Sequence, residues 1–406
     1  MSGSCVACPG DLESREDPKQ PTATSTIEYD DEKSPGYDSS TTQKCLVVFT
    51  TSFVTLAACF SSTSLFSAAD QIAANYGTTA EVINASSAGV LFAMGLSNFV
   101  WGPISKLCGR LIAFNACIVA LLLFTIAGAL APNLEAFVVF RILSGFQGTF
   151  FHVTGQAILA EYFPPTRRGT ATGFFLSGTV LGPPLGPLVA GVVTTYQSWR
   201  VILWTQAGMV LLGLVLSLAV LRKGGRPPLK MNEAGSIAML RCVLHAFNPM
   251  SVFGLMKYPN VLLTDIACGL LSWSQYALLS SPRHILVSQY GLTSPLISAL
   301  FYLSPAGGFL LGTLLGGRFS DHTVRKWIKL RDEVMPQRRP DAIASKYVVQ
   351  YMFSAAASGA AVPLIDALGV GIQCVILVYI AGGLCFVTAL YGRRMQDWVD
   401  GKHIKP

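Results

Sequence analysis

The stretch LIAFNACIVALLLFTIAGALA, residues 111–131, decides the fold. It runs without a single charge, from Arg110 on one side to Pro132, Asn133 and Glu135 on the other. At about 1.5 Å per residue, a helix of that length covers roughly 30 Å, the thickness of a bilayer's hydrocarbon core. A strand of a membrane barrel would alternate apolar and polar residues over about 10 positions. This run is continuous and long, so it reads as a membrane-crossing helix.

Runs of the same kind occur at 45–68, 82–103, 111–131, 135–160, 169–195, 199–221, 259–281, 292–317, 347–365 and 369–392. They form a block of six, a polar insert and a block of four. Composition agrees: of 406 residues, 51% are hydrophobic and 13% charged, where a soluble protein carries about 25% charged residues. So few ionic groups cannot coat a water-exposed surface of this size, which excludes a soluble multidomain enzyme. The 38 Gly and 22 Pro are spread along the chain, which excludes a fibrous or disordered one. The expected fold is all-α, a polytopic membrane bundle of about ten transmembrane helices arranged 6 + 4. The expected divisions are a disordered tail over 1–43, a six-helix bundle over 44–221, a linker over 222–258, a reduced helix bundle over 259–395 and a short tail over 396–406. The first tail carries nine acids and three bases with no apolar run, so it cannot bury enough surface to offset its ordering entropy.

The net charge of +7 follows topology, not nucleic acid. With the first tail inside, Lys106, Arg110, Arg167, Arg168, Arg222, Lys223, Arg318, Arg325, Lys326, Arg393 and Arg394 all fall in inner loops or the last tail. The outer loops offer only Arg200 and Arg283, so both termini are expected in the cytosol. Most of the ten cysteines lie in or beside apolar runs, where a thiol acts as a small hydrophobe. Cys5 and Cys8 form a CxxC in the tail that reads either as metal, redox or acylation chemistry or as inert.

An ionised group in hydrocarbon costs about 3 kcal/mol or more, so each one asks for a reason. Arg141, Gly145, Gly148, His152 and Gly155 are spaced 4, 3, 4 and 3 residues apart, one face of a helix. That face reads as the wall of a water-accessible central cavity with Arg141 holding an anionic group. It reads alternatively as a glycine packing seam with His152 hydrogen-bonded in the core. Asp265 lies about six residues into the seventh run. It is either a proton or cation site or a carboxylate still wetted at the interface. Gly178, Gly182, Pro183, Pro184, Gly186 and Pro187 mark the fifth run. Glycine at every fourth position lets two backbones approach, and proline removes donors and bends the helix, which suits a hinge or a seal. No phosphate-binding loop, HExxH or clustered metal ligands occur. The expectation is therefore no enzyme, no cofactor and no metal, with energy drawn from an ion gradient.

Several segments resemble the major facilitator superfamily: Gly102-Pro-Ile-Ser-Lys-Leu-Cys-Gly109-Arg110, Arg141 through Gly148, the Gly/Pro run, and Glu161 with Arg167-Arg168-Gly169. From Phe247 through Asp321 the chain looks similar to the fungal drug:proton antiporters with twelve spans, the quinidine-resistance-like group. The resemblance implies two helix bundles that rock about a midplane site. It also implies that an acid of the inner loops latches the cytoplasmic side. Lys106 stands where the first loop would carry that acid, while Asp321 keeps it in the second. Arg222-Lys-Gly-Gly replaces an expected Pro-Glu-Thr, and the second block has four spans where the family has six. The implied function is export of a small organic compound, a drug or secondary metabolite, by proton antiport. His152 or Asp265 would carry the proton, and a monomer would sit in the plasma membrane bilayer. The alternatives are a proton-coupled importer and a membrane protein that does not transport.

Overall fold

A computed structural model describes residues 35–221, 254–280, 295–331 and 339–399, with isolated positions 282, 285, 286 and 291. Cys5, Cys8, most of the expected first tail, most of the linker and the end of the last tail lie outside the described residues.

The described chain is helical: α1 (Thr41–Thr63), α2 (Ala69–Tyr76), α3 (Ala80–Cys108), α4 (Arg110–Ala129), α5 (Leu134–Gly145), α6 (Gly148–Tyr162), α7 (Pro165–Tyr196), α8 (Arg200–Val220), α9 (Pro259–Ser280), α10 (Pro295–Leu300), α11 (Leu303–Arg331), α12 (Arg339–Leu368) and α13 (Val370–Val399). Among the described residues, eight stretches are long and apolar enough to cross a membrane, including Thr41–Tyr76, Arg110–Ala129 and Leu134–Tyr162. The other two expected crossings are the less apolar α11 and α12, of 29 and 30 residues, both long enough to span. An all-α polytopic bundle is what the composition required.

Local chemistry sets the helix ends, and several differ from the apolar boundaries. The first helix starts inside the tail expected to be disordered, because Ser40 caps it by accepting from the Gln43 N–H at 3.2 Å. Asn133 caps α5 in the same way, accepting from Ala136 at 2.9 Å. Pro165 opens α7 where its missing N–H costs nothing. The eighth run splits, since Pro305 has no N–H for the Phe301 carbonyl; Ser304 donates to it instead at 3.3 Å, and α11 restarts at Leu303.

The fourth run also splits, at Phe146-Gln147, where one continuous helix was expected. Gln147 spends its side-chain amide on the Leu143 carbonyl at 2.7 Å, the acceptor its own backbone N–H would use. That N–H turns to Ser144 at 3.4 Å, a tighter turn. The Gln147 side-chain oxygen accepts from Trp101 Nε1 at 2.7 Å, which anchors the break to α3.

Helices α1 to α8 pack around two apolar clusters. Phe114 and Phe151 meet edge-on at 5.4 Å in one, and Phe137 and Trp199 at 5.3 Å in the other. Beyond residue 253, α9 packs on α12 and α13. The two sets meet along two lines: α12 against α3 and α6, and α10 and α11 against α7.

Candidate functional site

The line between α6 and α12 is buried yet polar. His152 is 0% exposed. Its Nδ1 lies 3.0 Å from the Gly148 carbonyl, an acceptor, so Nδ1 carries the proton and Nε2 is left to accept. Two donors converge on Nε2: the Cys59 thiol of α1 and the Tyr351 hydroxyl of α12, each at 3.3 Å. The imidazole also packs on the Tyr347 ring at 4.7 Å. Alongside, Gln156 donates to the Tyr347 hydroxyl at 2.9 Å, and Ser62 shares a hydrogen bond with the Tyr276 hydroxyl at 3.2 Å. Apart from His152 with Gly148 and with Cys59, each of these pairs joins a residue before position 222 to one after 253. Tyr276 reads from sequence as one of several aromatics of the apolar runs that either stack on a substrate or anchor and pack, while Tyr347 and Tyr351 carry no distinctive sequence signal. They sit in apolar runs, and only the fold brings them to His152.

Arg141 goes elsewhere. It is 4% exposed, and its guanidinium donates to Ser86 Oγ at 3.0 Å and to Ser87 Oγ at 2.9 Å, both on α3. The cavity beside it, lined by Thr125, Phe137 and Gln206 among others, holds about 10 Å³, the room one water needs. The five spaced residues do not form one cavity wall. A Cβ on Gly145 would stand 2.6 Å from Val90 Cγ1, Gly148 abuts Met94 one turn further along α3, and Gly155 abuts Phe175 of α7. The face offered by the spacing as a water-accessible wall or a packing seam is packed in this structure: Arg141, Gly145 and Gly148 follow successive turns of α3, His152 turns to α1 and α12, and Gly155 meets α7. Asp265 is likewise not wetted: it is 3% exposed, hydrogen-bonded to Ser345 of α12, and its Oδ2 has no hydrogen-bond partner.

The Gly/Pro run lies along α1. Pro187 has no N–H to give the Pro183 carbonyl, and Thr63 Oγ1 donates to that carbonyl from α1 at 2.6 Å. Ser67 donates to the Pro187 carbonyl at 3.1 Å, and Ser52 to the Phe175 carbonyl at 3.2 Å. A Cβ on Gly182 would meet Cys59 Cβ at 2.5 Å, and one on Gly186 would meet Thr63 Oγ1 at 2.7 Å; Gly178 abuts Ser52. Glycine admits the α1 backbone, Thr63 satisfies the carbonyl that Pro187 orphans, and Ser52 and Ser67 add further bonds to α7 carbonyls.

On the side carrying the basic loops, Asp321 of α11 is 1% exposed. It accepts from the Gly169 N–H at 2.6 Å, the Thr170 N–H at 2.8 Å and the Thr170 hydroxyl at 2.5 Å, all on α7. Arg325 adds a bond to the Thr166 carbonyl at 3.2 Å. Gly317 fits against Gly169 and Gly173, which brings the carboxylate within reach. Arg110, next to the left-handed Gly109, pairs with Glu161, and Arg168 donates to the Ala160 and Phe163 carbonyls at 3.0 and 3.2 Å. Gly102 lies against the Asn98 side chain of its own helix at ordinary contact distance.

The Major Facilitator Superfamily profile matches residues 51–391. The MFS antiporter QDR3 of Candida albicans is 30% identical over 161 residues, 40% of this chain and 23% of that protein. The MFS transporter fsa7 of a Fusarium species is 28% identical over 335 residues, 76% of this chain and 64% of that one. The chain therefore spans less than two thirds of the length of these curated relatives. Among solved structures, a peptide transporter POT in complex with sulfate shares the fold with a TM-score of 0.59 at 13% identity, over 86% of this chain and 95% of that one. Profile, motifs and helical architecture agree that the chain belongs to the major facilitator superfamily.

Proposed function

We propose that this chain is a membrane transporter that exports a small organic compound in exchange for protons, alternating access at the seam between α1 and α6 on one side and α9 and α12 on the other. The observation that carries this reading is the polar character of that seam. A permanent interface in the bundle could be apolar throughout. Here His152, Gln156 and Ser62 meet Tyr351, Tyr347 and Tyr276 through single hydrogen bonds that water or a substrate can replace. His152 carries the proton, since imidazole changes charge near neutral pH. Asp265 is the second proton group. Arg141 is a positioning residue that ties α5 to α3, and the Asp321 contacts with α7 close the cytoplasmic side. Rocking of two bundles about a midplane site is the general mode of such folds. The name of one relative, the efflux pump radE from Floropilus chiversii, supports the direction, and a citrinin biosynthesis cluster transporter from Monascus ruber supports a small organic substrate. By the same reasoning the protein works as a monomer in the plasma membrane, with both termini cytosolic.

The test is substrate flux in proteoliposomes under an imposed pH gradient. Gradient-driven movement out of the cytosolic side is expected, with at least about tenfold loss in His152→Ala. Movement in the other direction would make it an importer. Unchanged proton coupling in both His152→Ala and Asp265→Asn would remove these two residues from the mechanism. A second reading, a membrane protein without transport, draws on the faces of α11 and α13 that no described residue covers. Absence of flux for every compound tried would favour it.

A further inference from the structure

Cys59 of α1, His152 of α6 and Tyr351 of α12 bring a sulfur, a ring nitrogen and a phenol oxygen to one point. Cys59 lies 93 residues from His152 in sequence and Tyr351 lies 199, so no spacing announces a metal site. Their exposures are 1%, 0% and 3%. The three atoms form a triangle with sides of 3.3 Å from Sγ to Nε2, 3.3 Å from Nε2 to the Tyr351 hydroxyl and 4.0 Å from Sγ to that hydroxyl. Sulfur, nitrogen and oxygen ligands of tetrahedral zinc, bound at about 2.0–2.3 Å, lie about 3.3–3.6 Å apart. The triangle therefore closes on an ion of that size once the hydroxyl moves by about 0.5 Å. The imidazole is also held as in metal sites. Its Nδ1 faces the Gly148 carbonyl at 3.0 Å, the kind of bond that fixes the tautomer and ring angle of a metal-binding histidine and leaves Nε2 to bind. Tyr347 packs on the ring, and Cys59 is lodged against Gly182.

We infer that Cys59, His152 and Tyr351 form a site for a zinc-like dication, Zn2+ or Cd2+, which clamps α12 to α1 and α6. Binding breaks the S–H bond of Cys59 and the O–H bond of Tyr351, and both protons leave to water. Metal–sulfur, metal–oxygen and metal–nitrogen bonds form, and a water takes the fourth position. The two negative ligands cancel the charge of the ion, so the closed seam holds a neutral centre and no unpaired charge is buried. Thiolate and imidazole together select zinc over Mg2+ and Ca2+, which prefer oxygen ligands. The site itself does not depend on transport. Its consequence, that bound metal keeps the seam shut and excludes the proton from His152, rests on the transporter reading above.

The test is Cd2+ titration of the full-length purified protein in detergent, followed by the thiolate-to-cadmium absorption in the ultraviolet. Cys5→Ser and Cys8→Ser are carried throughout, so that the CxxC of the tail does not contribute. A saturable band is expected that Zn2+ displaces and Mg2+ does not. Cys59→Ser keeps a hydroxyl to donate to His152 but loses the thiolate, and should bind at least about a hundredfold more weakly, beyond the loss of a supporting contact. Cys59→Ala and His152→Ala should do the same. Tyr351→Phe should keep the band, which Cys59 and His152 supply, yet lose the zinc-dependent rise in melting temperature, because the tie to α12 is gone. An unchanged affinity in both Cys59 variants or in His152→Ala would overturn the proposal, as would a melting temperature that zinc does not move. In liposomes Zn2+ should inhibit flux, and Cys59→Ser should relieve the inhibition; flux indifferent to zinc would overturn the clamp. If cadmium binds as expected and no flux is seen at all, the transporter reading fails and the metal site stands.

Discussion

The glycines before residue 222 and those after residue 300 live in different surroundings. Gly145, Gly148, Gly155, Gly178, Gly182 and Gly186 are each pressed against a neighbouring helix, closer than a Cβ allows. Gly307, Gly308, Gly312 and Gly316 of α11, and Gly382 and Gly383 of α13, face nothing within 4 Å among the described residues. Burial differs in the same sense: 39–61% of the apolar window is buried in the six crossings before residue 222, against 6% in Cys374–Tyr391. Exposed Leu or Phe costs a membrane helix little, since lipid tails are as apolar as a core. What separates the two regions is backbone contact. In the first, small residues bring helices together and hydroxyls complete them. In the second, Gly317 is pressed to α7, while Gly307, Gly308, Gly312 and Gly316 meet no described neighbour.

The largest effect that would break this contrast comes from adding bulk. Gly182→Leu drives a side chain into Cys59 and should cost about 3 kcal/mol or more, the upper range for overpacking. Gly312→Leu should leave stability unchanged. Thermal melts of the two variants in the same detergent compare them directly, and equal losses would mean that α11 is covered. Next is Asp321→Asn, at the one place where a small-residue stripe of α11 is used. It removes the charge from three hydrogen bonds to α7 and should cost about 2 kcal/mol. It should also raise labelling of a cysteine placed at position 166 from the cytoplasmic side. The smallest is Thr63→Val, which leaves the Pro183 carbonyl without its donor for about 1 kcal/mol. A loss near zero there would show that water replaces the hydroxyl.

Much of this was legible before any coordinates. Continuous apolar runs can be satisfied in a bilayer only as helices, because each backbone group must find its partner within the segment. Gly178, Gly182 and Gly186 announced a close approach, and Asp321 an inner-loop contact. Arg141 and His152 stand out in an apolar run, and the spacing alone leaves open whether their face is a cavity wall or a packing seam; the neighbours that fill it, α3 for Arg141, Gly145 and Gly148 and α1 and α12 for His152, are set by tertiary packing. Tyr347 and Tyr351 give no pattern to notice, since a tyrosine within or at the edge of an apolar run reads equally as an anchor or a packed core residue.

Residue order alone determined that this chain crosses a membrane many times as helices, because hydrophobicity and length act within each segment and need no neighbour. Which polar side chains meet was decided by tertiary structure alone. His152 finds Tyr351, 199 residues away, and Asp321 finds Gly169, 152 away. Pairings at such separations depend on how helices are laid side by side, and no local periodicity encodes that.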